Sequence, residues 1–128
     1  MRYKDRYPII VTPHIAACRD FWVRHLGFAV VFEIDWFVYL AAEEGTATIA
    51  FMTPDHPSSP PGPEAYAAGI SMELEVEDAK AALAEVRASG KEPDYPLTDE
   101  PFGQRRFSVR DPSGLWINIV EQVGLPAA

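Results

Sequence analysis

The stretch that decides the fold is FSVRDPSGLWINIVEQ, which runs from Phe107 to Gln122. Its two ends are rich in β-branched and aromatic residues. The segment DPSG between them has the composition of a tight turn, with Pro112 suited to the second position and Gly114 to the fourth. The stretch therefore predicts a β-hairpin. Asn118, in the middle of the second strand, is a candidate polar contact on the sheet surface.

The residues before this hairpin predict a strand, a helix and a further strand. ISMELEV, residues 70–76, has the alternation of a half-buried strand. DAKAALAEVRASG, residues 78–90, predicts a helix with Ala79, Ala82, Leu83 and Val86 on one face. KEPDYPL, residues 91–97, is a weak strand broken by prolines, and a loop is expected over residues 98–103.

The first half of the chain shows the same order. YPIIV predicts a strand, and helical spacing follows from residue 14 to Gly27. FAVVFEIDWFVYLAA predicts two strands with a bend near Asp35, and TATIAFM predicts a third. The sequence predicts one domain over residues 1–128, with module one at 7–54, a proline-rich linker at 55–68 and module two at 69–123.

Composition narrows the classes of function. A chain of 128 residues with a formal charge of -8 and a pI near 4.7 is a poor candidate for binding nucleic acid, because phosphate contacts need clustered Lys and Arg. Cys18 is the only cysteine, and no apolar run approaches the ~20 residues of a membrane span. The start of the sequence has no long apolar segment typical of a secretion signal. We expect a cytoplasmic protein with no membrane partner.

The run FWVRHLGF after a short strand, the linker, and the final DEPFGQRRFSVRDPSGLWINIVEQ together resemble the vicinal oxygen chelate superfamily. This superfamily includes glyoxalase I, extradiol dioxygenases, fosfomycin resistance enzymes and bleomycin-binding resistance proteins. The resemblance spans residues 7–122 and is strongest to the metal-free bleomycin-binding type. It implies an α+β fold in which two βαβββ modules form curved half-barrels around a central cavity, and it implies a homodimer.

The resemblance also implies where metal ligands would lie. Metal-dependent relatives carry His, Glu or Gln on the first and last strand of each module, and these positions fall on Tyr7, Ile49, Ser71 and Asn118. Neither an isoleucine nor a neutral Tyr, Ser or Asn is a good ligand for Zn²⁺ or Fe²⁺. We therefore predict no metal and no cofactor, and the sequence favours a protein that is not an enzyme without deciding the question.

Strand alternation suggests which residues face the cavity. Ser71 and Glu73 share one face of their strand, and Trp116 and Asn118 share one face of theirs. If DPSG closes a four-residue loop, Phe107 lies opposite Asn118. Glu73 has two interpretations. It is either a carboxylate at a solvated mouth of the cavity or in an ion pair with Arg105 or Arg106, or it contacts a ligand as counter-ion, hydrogen-bond acceptor or general base.

Aromatic residues on the predicted strands are the second indication of a ligand site. For any one of them a place in the packed core is the simpler explanation, but rings on a concave sheet would stack on a flat ligand. Phe102 and Gly103 are added because the resemblance places an aromatic and a glycine beside the ligand groove. The candidate ligand-binding residues are Tyr7, Trp36, Phe37, Tyr39, Ile49, Phe51, Ser71, Glu73, Phe102, Gly103, Phe107, Trp116 and Asn118.

The function that these features favour is stoichiometric binding of a hydrophobic or aromatic small molecule, for example an antibiotic, without a metal and without a reaction. The alternative is a small lyase, isomerase or dioxygenase of the same superfamily, using a metal or Glu73. A dimerisation or regulatory module with no ligand is the third possibility.

Overall fold

The computed structural model describes residues 1–2, 4–55 and 70–124. The chain divides into two compact units, residues 1–67 and 68–128. All of the predicted linker except Asp55 lies outside the described residues. The two units have the same order of elements, a strand, a helix and three strands, so the predicted α+β fold of two βαβββ modules is confirmed.

Helix and strand bounds differ from the predicted ones mainly at their ends. Unit one contains β1 (Ile9–Val11), α1 (Ile15–Leu26), β2 (Phe28–Ile34), β3 (Phe37–Ala42) and β4 (Thr48–Met52). Unit two contains β5 (Ser71–Glu75), α2 (Ala79–Ala88), β6 (Tyr95–Glu100), β7 (Gln104–Arg110) and β8 (Trp116–Gln122). Neither helix of the described ranges is long and apolar enough to cross a membrane.

Unit one is a four-stranded sheet covered by α1 on one face. The strand order is β1-β4-β3-β2, and β1 runs parallel to β4. Trp22 of α1 is completely buried, with its ring 4.8 Å from that of Phe28 and 6.0 Å from that of Phe51. Gly27 ends the helix at φ +71, a conformation that favours glycine, and its N–H donates to the Trp22 carbonyl.

Unit two has the same arrangement. The strand order is β5-β8-β7-β6, and β5 runs parallel to β8. The Asp78 side chain accepts a hydrogen bond from the Ala81 N–H and so caps α2. Ala79, Leu83 and Val86 are the buried residues of this helix, which packs on β6, β7 and β8. The opposite face of the sheet is not covered by α2, so we look for a functional site there.

The hairpin between β7 and β8 is closed by a buried carboxylate. Asp111 is 4% exposed, and its Oδ1 accepts from the N–H of Ser113 at 2.8 Å and from the N–H of Leu115 at 3.2 Å. The backbone N–H of Asp111 donates to the Leu115 carbonyl, and Gly114 has φ +91. Arg110 consequently pairs with Trp116.

The sixth strand differs from its predicted extent. It begins at Tyr95 and continues to Glu100, so part of the predicted loop over residues 98–103 is strand. Pro96 is accommodated because β6 lies at the edge of the sheet and pairs only with β7, with a register shift between Tyr95 and Thr98.

Candidate functional site

The face of the unit-two sheet opposite α2 carries most of the predicted polar candidates. Strand register places Ser71 beside Trp116 and Glu73 beside Asn118, and Ser108 is the partner of Asn118 on the other side. We call this surface the polar face. Its members used below are Ser71, Glu73, Glu75, Arg106, Ser108, Arg110, Trp116 and Asn118.

Glu73 is an exposed carboxylate without a hydrogen bond or ion pair among the described residues. Glu75, two residues along the same face, accepts a hydrogen bond from Gln122 Nε2 at 2.9 Å. The sequence-based alternative of an ion pair between Glu73 and Arg105 or Arg106 is wrong. The two carboxylates of β5 therefore differ in whether they are already engaged.

The two arginines have partners elsewhere. Arg105 Nε binds Asp99 Oδ1 at 2.7 Å, and this hydrogen bond is the main cause that raises the pKa of Arg105 above its usual value. Arg106 Nε lies 3.4 Å from Glu100 Oε1. Alternation along β7 also places Arg105 on the face away from Glu73.

Asn118 is half-buried at the centre of the polar face. Its Oδ1 accepts a hydrogen bond from Ser108 Oγ at 2.6 Å, and Ser108 itself is buried. Glu73, Asn118 and Ser108 thus form one row across β5, β8 and β7. Sequence reasoning identified two of the three. Ser108 was missed because the assumed register placed Phe107 in that position.

Trp116 is 38% exposed on the polar face and lies in the next row. The guanidinium carbon of Arg110 is 5.1 Å from the centre of its ring, a cation–π distance. Arg110 also donates to the Gly114 carbonyl from Nε and Nη2. The indole is held from one side and still has surface available to a ligand.

The β6–β7 hairpin holds a second cation–π cluster, formed by one residue of each strand and one of the turn. The guanidinium of Arg106 lies 5.3 Å from the ring centre of Tyr95 and 5.6 Å from that of Phe102. Tyr95 Oη donates to Glu100 Oε1 at 2.6 Å. Phe102 is 50% exposed, so its ring is positioned but accessible. In RRFSVR, Arg106 alternates with Ser108 and Arg110 along the strand. This alternation is the signal that could have placed Arg106 on the polar face.

Gly103 belongs to this turn but offers little to a ligand. It is buried, its N–H donates to the Glu100 carbonyl, and its own carbonyl accepts from the Val123 N–H. Both backbone groups are thus occupied within the unit. Gly103 shapes the turn that presents Phe102.

The face of the unit-one sheet opposite α1 is aromatic, and we call it the aromatic face. Tyr7 and Tyr39 have ring centres 4.7 Å apart, and Phe37 lies 6.4 Å from Phe32. Tyr39 Oη donates to Asp5 Oδ2 at 3.3 Å. The residues of this face are Tyr7, Ile9, Phe32, Ile34, Phe37 and Tyr39.

Trp36 lies in the turn between β2 and β3, not within a strand. Its ring packs edge to face on Phe37 with centres 5.9 Å apart, and its carbonyl accepts from the Thr53 N–H. It therefore borders the aromatic face without belonging to the alternating pattern.

Three predicted contact residues lie in the core. Phe107 pairs with Ile119, not with Asn118, and its ring is fully buried on the helix side of its sheet. Ile49 and Phe51 are also fully buried, paired with Leu40 and Val38. The register that placed Phe107 opposite Asn118 is wrong, because a shift of one residue transfers a side chain to the opposite face of a strand.

The residues at the four positions implied for metal ligands do not fit a metal. Ile49 has no donor atom and faces the core, Tyr7 is 44% exposed and packs on Tyr39, and Asn118 Oδ1 is already bonded to Ser108. Among residues 4–55 and 70–124, no three His, Cys, Asp or Glu side chains cluster in a way that could hold an ion.

A surface hollow of about 670 Å³ lies in unit one, next to the aromatic face. Its described lining residues are Lys4, Asp5, Arg6 and Thr46. None of these described lining residues is a predicted contact residue. Two predicted contact residues adjoin them: Tyr7 follows Arg6 in the sequence, and Tyr39 Oη donates a hydrogen bond to Asp5. We therefore give more weight to the two sheet faces than to this hollow.

Solved structures similar to this chain share its fold at low sequence identity. A glyoxalase/bleomycin resistance protein/dioxygenase from Nocardioides has a TM-score of 0.76 and 20% identity, over 100% of this chain and 90% of that chain. A superfamily member from Sphaerobacter thermophilus has a TM-score of 0.69 and 24% identity, over 94% of this chain and 98% of that chain. The bleomycin resistance determinant encoded on transposon Tn5 has a TM-score of 0.65 and 18% identity, with the same coverage.

No curated protein matches the sequence. The family profile that matches is the Glyoxalase/Bleomycin resistance protein/Dioxygenase superfamily, and the match covers residues 6–119. This span includes all of the first βαβββ module and all of the second except the last three residues of β8, together with the aromatic face and the central row of the polar face. The chain is therefore a member of the Glyoxalase/Bleomycin resistance protein/Dioxygenase superfamily.

Proposed function

We propose that this protein binds a hydrophobic or aromatic small molecule, for example an antibiotic, and sequesters it stoichiometrically without a metal or a cofactor. One observation carries the proposal: a partly exposed Trp116 lies on the same sheet face as an unengaged Glu73 and a half-buried Asn118. An aromatic platform with a few fixed polar groups is the usual composition of a small-molecule site. The bleomycin resistance determinant among the structural relatives supports a resistance role.

The surroundings of Glu73 support binding more than chemistry. A general base needs a partner that stabilises the negative charge formed on the substrate. Along its row the neighbours of Glu73 are Asn118 and Ser108, and neither is a cation or a metal ligand set. A carboxylate in this place is better suited to accept a hydrogen bond from a ligand or to balance a ligand cation.

The aromatic face of unit one contributes to the proposal as a second stacking surface. Tyr7, Phe37 and Tyr39 present rings on the side of the sheet away from α1, and Trp36 borders them. Rings held by their neighbours lose little conformational freedom when they bind a flat molecule. We propose these four residues as ligand contacts on unit one and, separately, Phe102 as a ligand contact on unit two.

A cytoplasmic homodimer is part of the same proposal. The edge strand β2 and the strand β1 leave large apolar side chains exposed, and such patches are typical of interfaces. The exposed apolar residues of these strands are Ile9, Val30, Val31, Phe32 and Ile34. Light scattering on the purified chain should give twice the mass of 14.2 kDa. A monomer at micromolar concentration would contradict this part.

The direct test is native mass spectrometry of protein purified without chelator, followed by titration calorimetry with each small molecule that co-purifies. We expect one ligand per chain, recovered unchanged after release. Glu73→Gln should weaken binding of a ligand with a donor or cationic group about tenfold, as expected for loss of a charged hydrogen bond. Glu75→Gln is the matched control, because Glu75 lies on the same strand and face but already binds Gln122.

Two results would favour the alternative of an enzyme. One is conversion of the co-purified molecule to a product on incubation with excess protein. The other is stoichiometric metal in elemental analysis, with binding lost on chelation. Equal weakening by Glu73→Gln and Glu75→Gln would show that the row of Glu73 and Asn118 is not the contact.

A further inference from the structure

The hydrogen bond between Ser108 and Asn118 fixes which end of the Asn118 amide is free. The two atoms are 2.6 Å apart. The donor is the hydroxyl of Ser108 and the acceptor is Oδ1 of Asn118. The amide oxygen therefore faces Ser108, and the NH₂ group is directed away from it.

The free NH₂ group is accessible. An asparagine amide nitrogen carries two donors, and this one has no acceptor among the described residues. No buried side-chain nitrogen or oxygen in the described part of the chain lacks a partner, so the nitrogen of Asn118 must be reached by solvent. The neighbouring row position on β5 is Glu73, whose two carboxylate oxygens are also unengaged.

We infer that Asn118 and Glu73 form a donor–acceptor pair that selects ligands by the hydrogen-bonding groups on one edge of a planar group. The matching ligand carries a hydrogen-bond acceptor and a donor side by side, as in a carboxamide or an amino-substituted nitrogen heterocycle, attached to an aromatic ring that lies against Trp116. This inference rests on the proposed binding function and names the ligand class for it.

The pair also defines what is rejected. A carboxylate on the same ring would meet the negative charge of Glu73, and a ketone would leave that carboxylate without a donor. Ser108 acts as a positioning residue in this arrangement, because it contacts Asn118 and not the ligand. Without its hydroxyl, the amide can turn over and present its oxygen beside Glu73.

The experiment uses three probes with the same ring system: naphthalene-2-carboxamide, 2-acetylnaphthalene and 2-ethylnaphthalene. Their affinities are measured by ligand-observed NMR titration on the wild-type chain and on Ser108→Ala, Glu73→Gln and Trp116→Leu. In the wild type we expect the carboxamide to bind about tenfold or more tightly than either other probe. Titration with the carboxamide should also shift the side-chain NH₂ signals of Asn118, which Asn118→Asp identifies by their loss.

The variants distinguish a positioning role of Ser108 from a purely structural one. Ser108→Ala should reduce the preference for the carboxamide to about threefold or less while leaving the affinity for 2-ethylnaphthalene unchanged. A purely structural role for Ser108 would weaken all three probes together. Trp116→Leu should weaken all three, because it removes the ring and leaves the polar pair.

The outcomes distinguish the two proposals. If all three probes bind with equal affinity and Trp116→Leu weakens them, the binding function stands and the donor–acceptor inference is overturned. If no probe binds the wild type at millimolar concentration, the polar face is not a site for aromatic ligands and both fail.

Discussion

Replacement of Asp111 by alanine should destabilise unit two, because the Asp111 carboxylate closes the hairpin between β7 and β8. Oδ1 of Asp111 accepts from the backbone N–H groups of Ser113 and Leu115 and from the Ser113 hydroxyl. A hydrogen bond to a charged group contributes about 1.5–3 kcal/mol, and bonds that share one acceptor atom are not additive. We expect a loss of about 3 kcal/mol for Asp111→Ala.

For a unit of this size a loss of that magnitude lowers the midpoint of thermal unfolding of unit two by about 15 °C. Asp111→Asn keeps an oxygen in the same place and should lose only about 1 kcal/mol. Glu92→Ala is the control, since Glu92 is an exposed partner of Arg87 and should leave the midpoint unchanged.

The assay is urea unfolding followed by circular dichroism, together with hydrogen exchange detected by mass spectrometry. Exchange should accelerate in peptides from β7 and β8 and remain at the wild-type rate in peptides from unit one, because each unit has a buried core of its own. The reasoning is refuted if Asp111→Ala unfolds within about 0.5 kcal/mol of the wild type, or if Asp111→Asn costs as much as Asp111→Ala.

Three further changes test other parts of the structure. Trp22→Ala removes the largest buried side chain of unit one and should cost about 3–5 kcal/mol in urea unfolding, whereas a half-exposed Trp36→Ala should cost clearly less. Asp78→Ala removes the cap of α2 and should cost about 1 kcal/mol, with Asp78→Asn restoring most of it; an unchanged midpoint would show that the cap is dispensable. Arg106→Gln removes the cation from between two rings and should cost about 0.5–1 kcal/mol, with greater mobility of the Phe102 ring by NMR; an unaltered ring signal would contradict the stacking.

The order of elements could be predicted from the sequence because the spacing of apolar residues indicates directly which side chains are buried. The spacing of Cys18 and Trp22 places one stripe of α1 on the sheet, and both residues are fully buried. The alternation of Ser71 and Glu73 with apolar neighbours assigned the two faces of β5 in the same way. Local patterns of this kind do not depend on the partner strand.

Register could not be predicted, because it depends on how each turn is closed. The turn after β7 was expected to have four residues, but the side chain of Asp111 holds five residues between Arg110 and Trp116. Because of this additional residue, Ser108 and not Phe107 lies opposite Asn118. In unit one the turn before β4 differs again, since the Ala42 N–H binds the Ala47 carbonyl, and counting from Gly45 therefore reached the wrong face at Ile49.

The parallel pairing of β5 with β8 determines at which stage of folding the row of Glu73, Asn118 and Ser108 forms. Glu73 and Asn118 are far apart along the chain, and β5 is held by one neighbouring strand at the edge of its sheet. The hairpins of β6, β7 and β8 close over short loops, whereas docking of β5 closes a long one and costs more chain entropy. The row should therefore be completed last during folding, and release of β5 alone should dismantle it while Ser108 and Asn118 remain bonded.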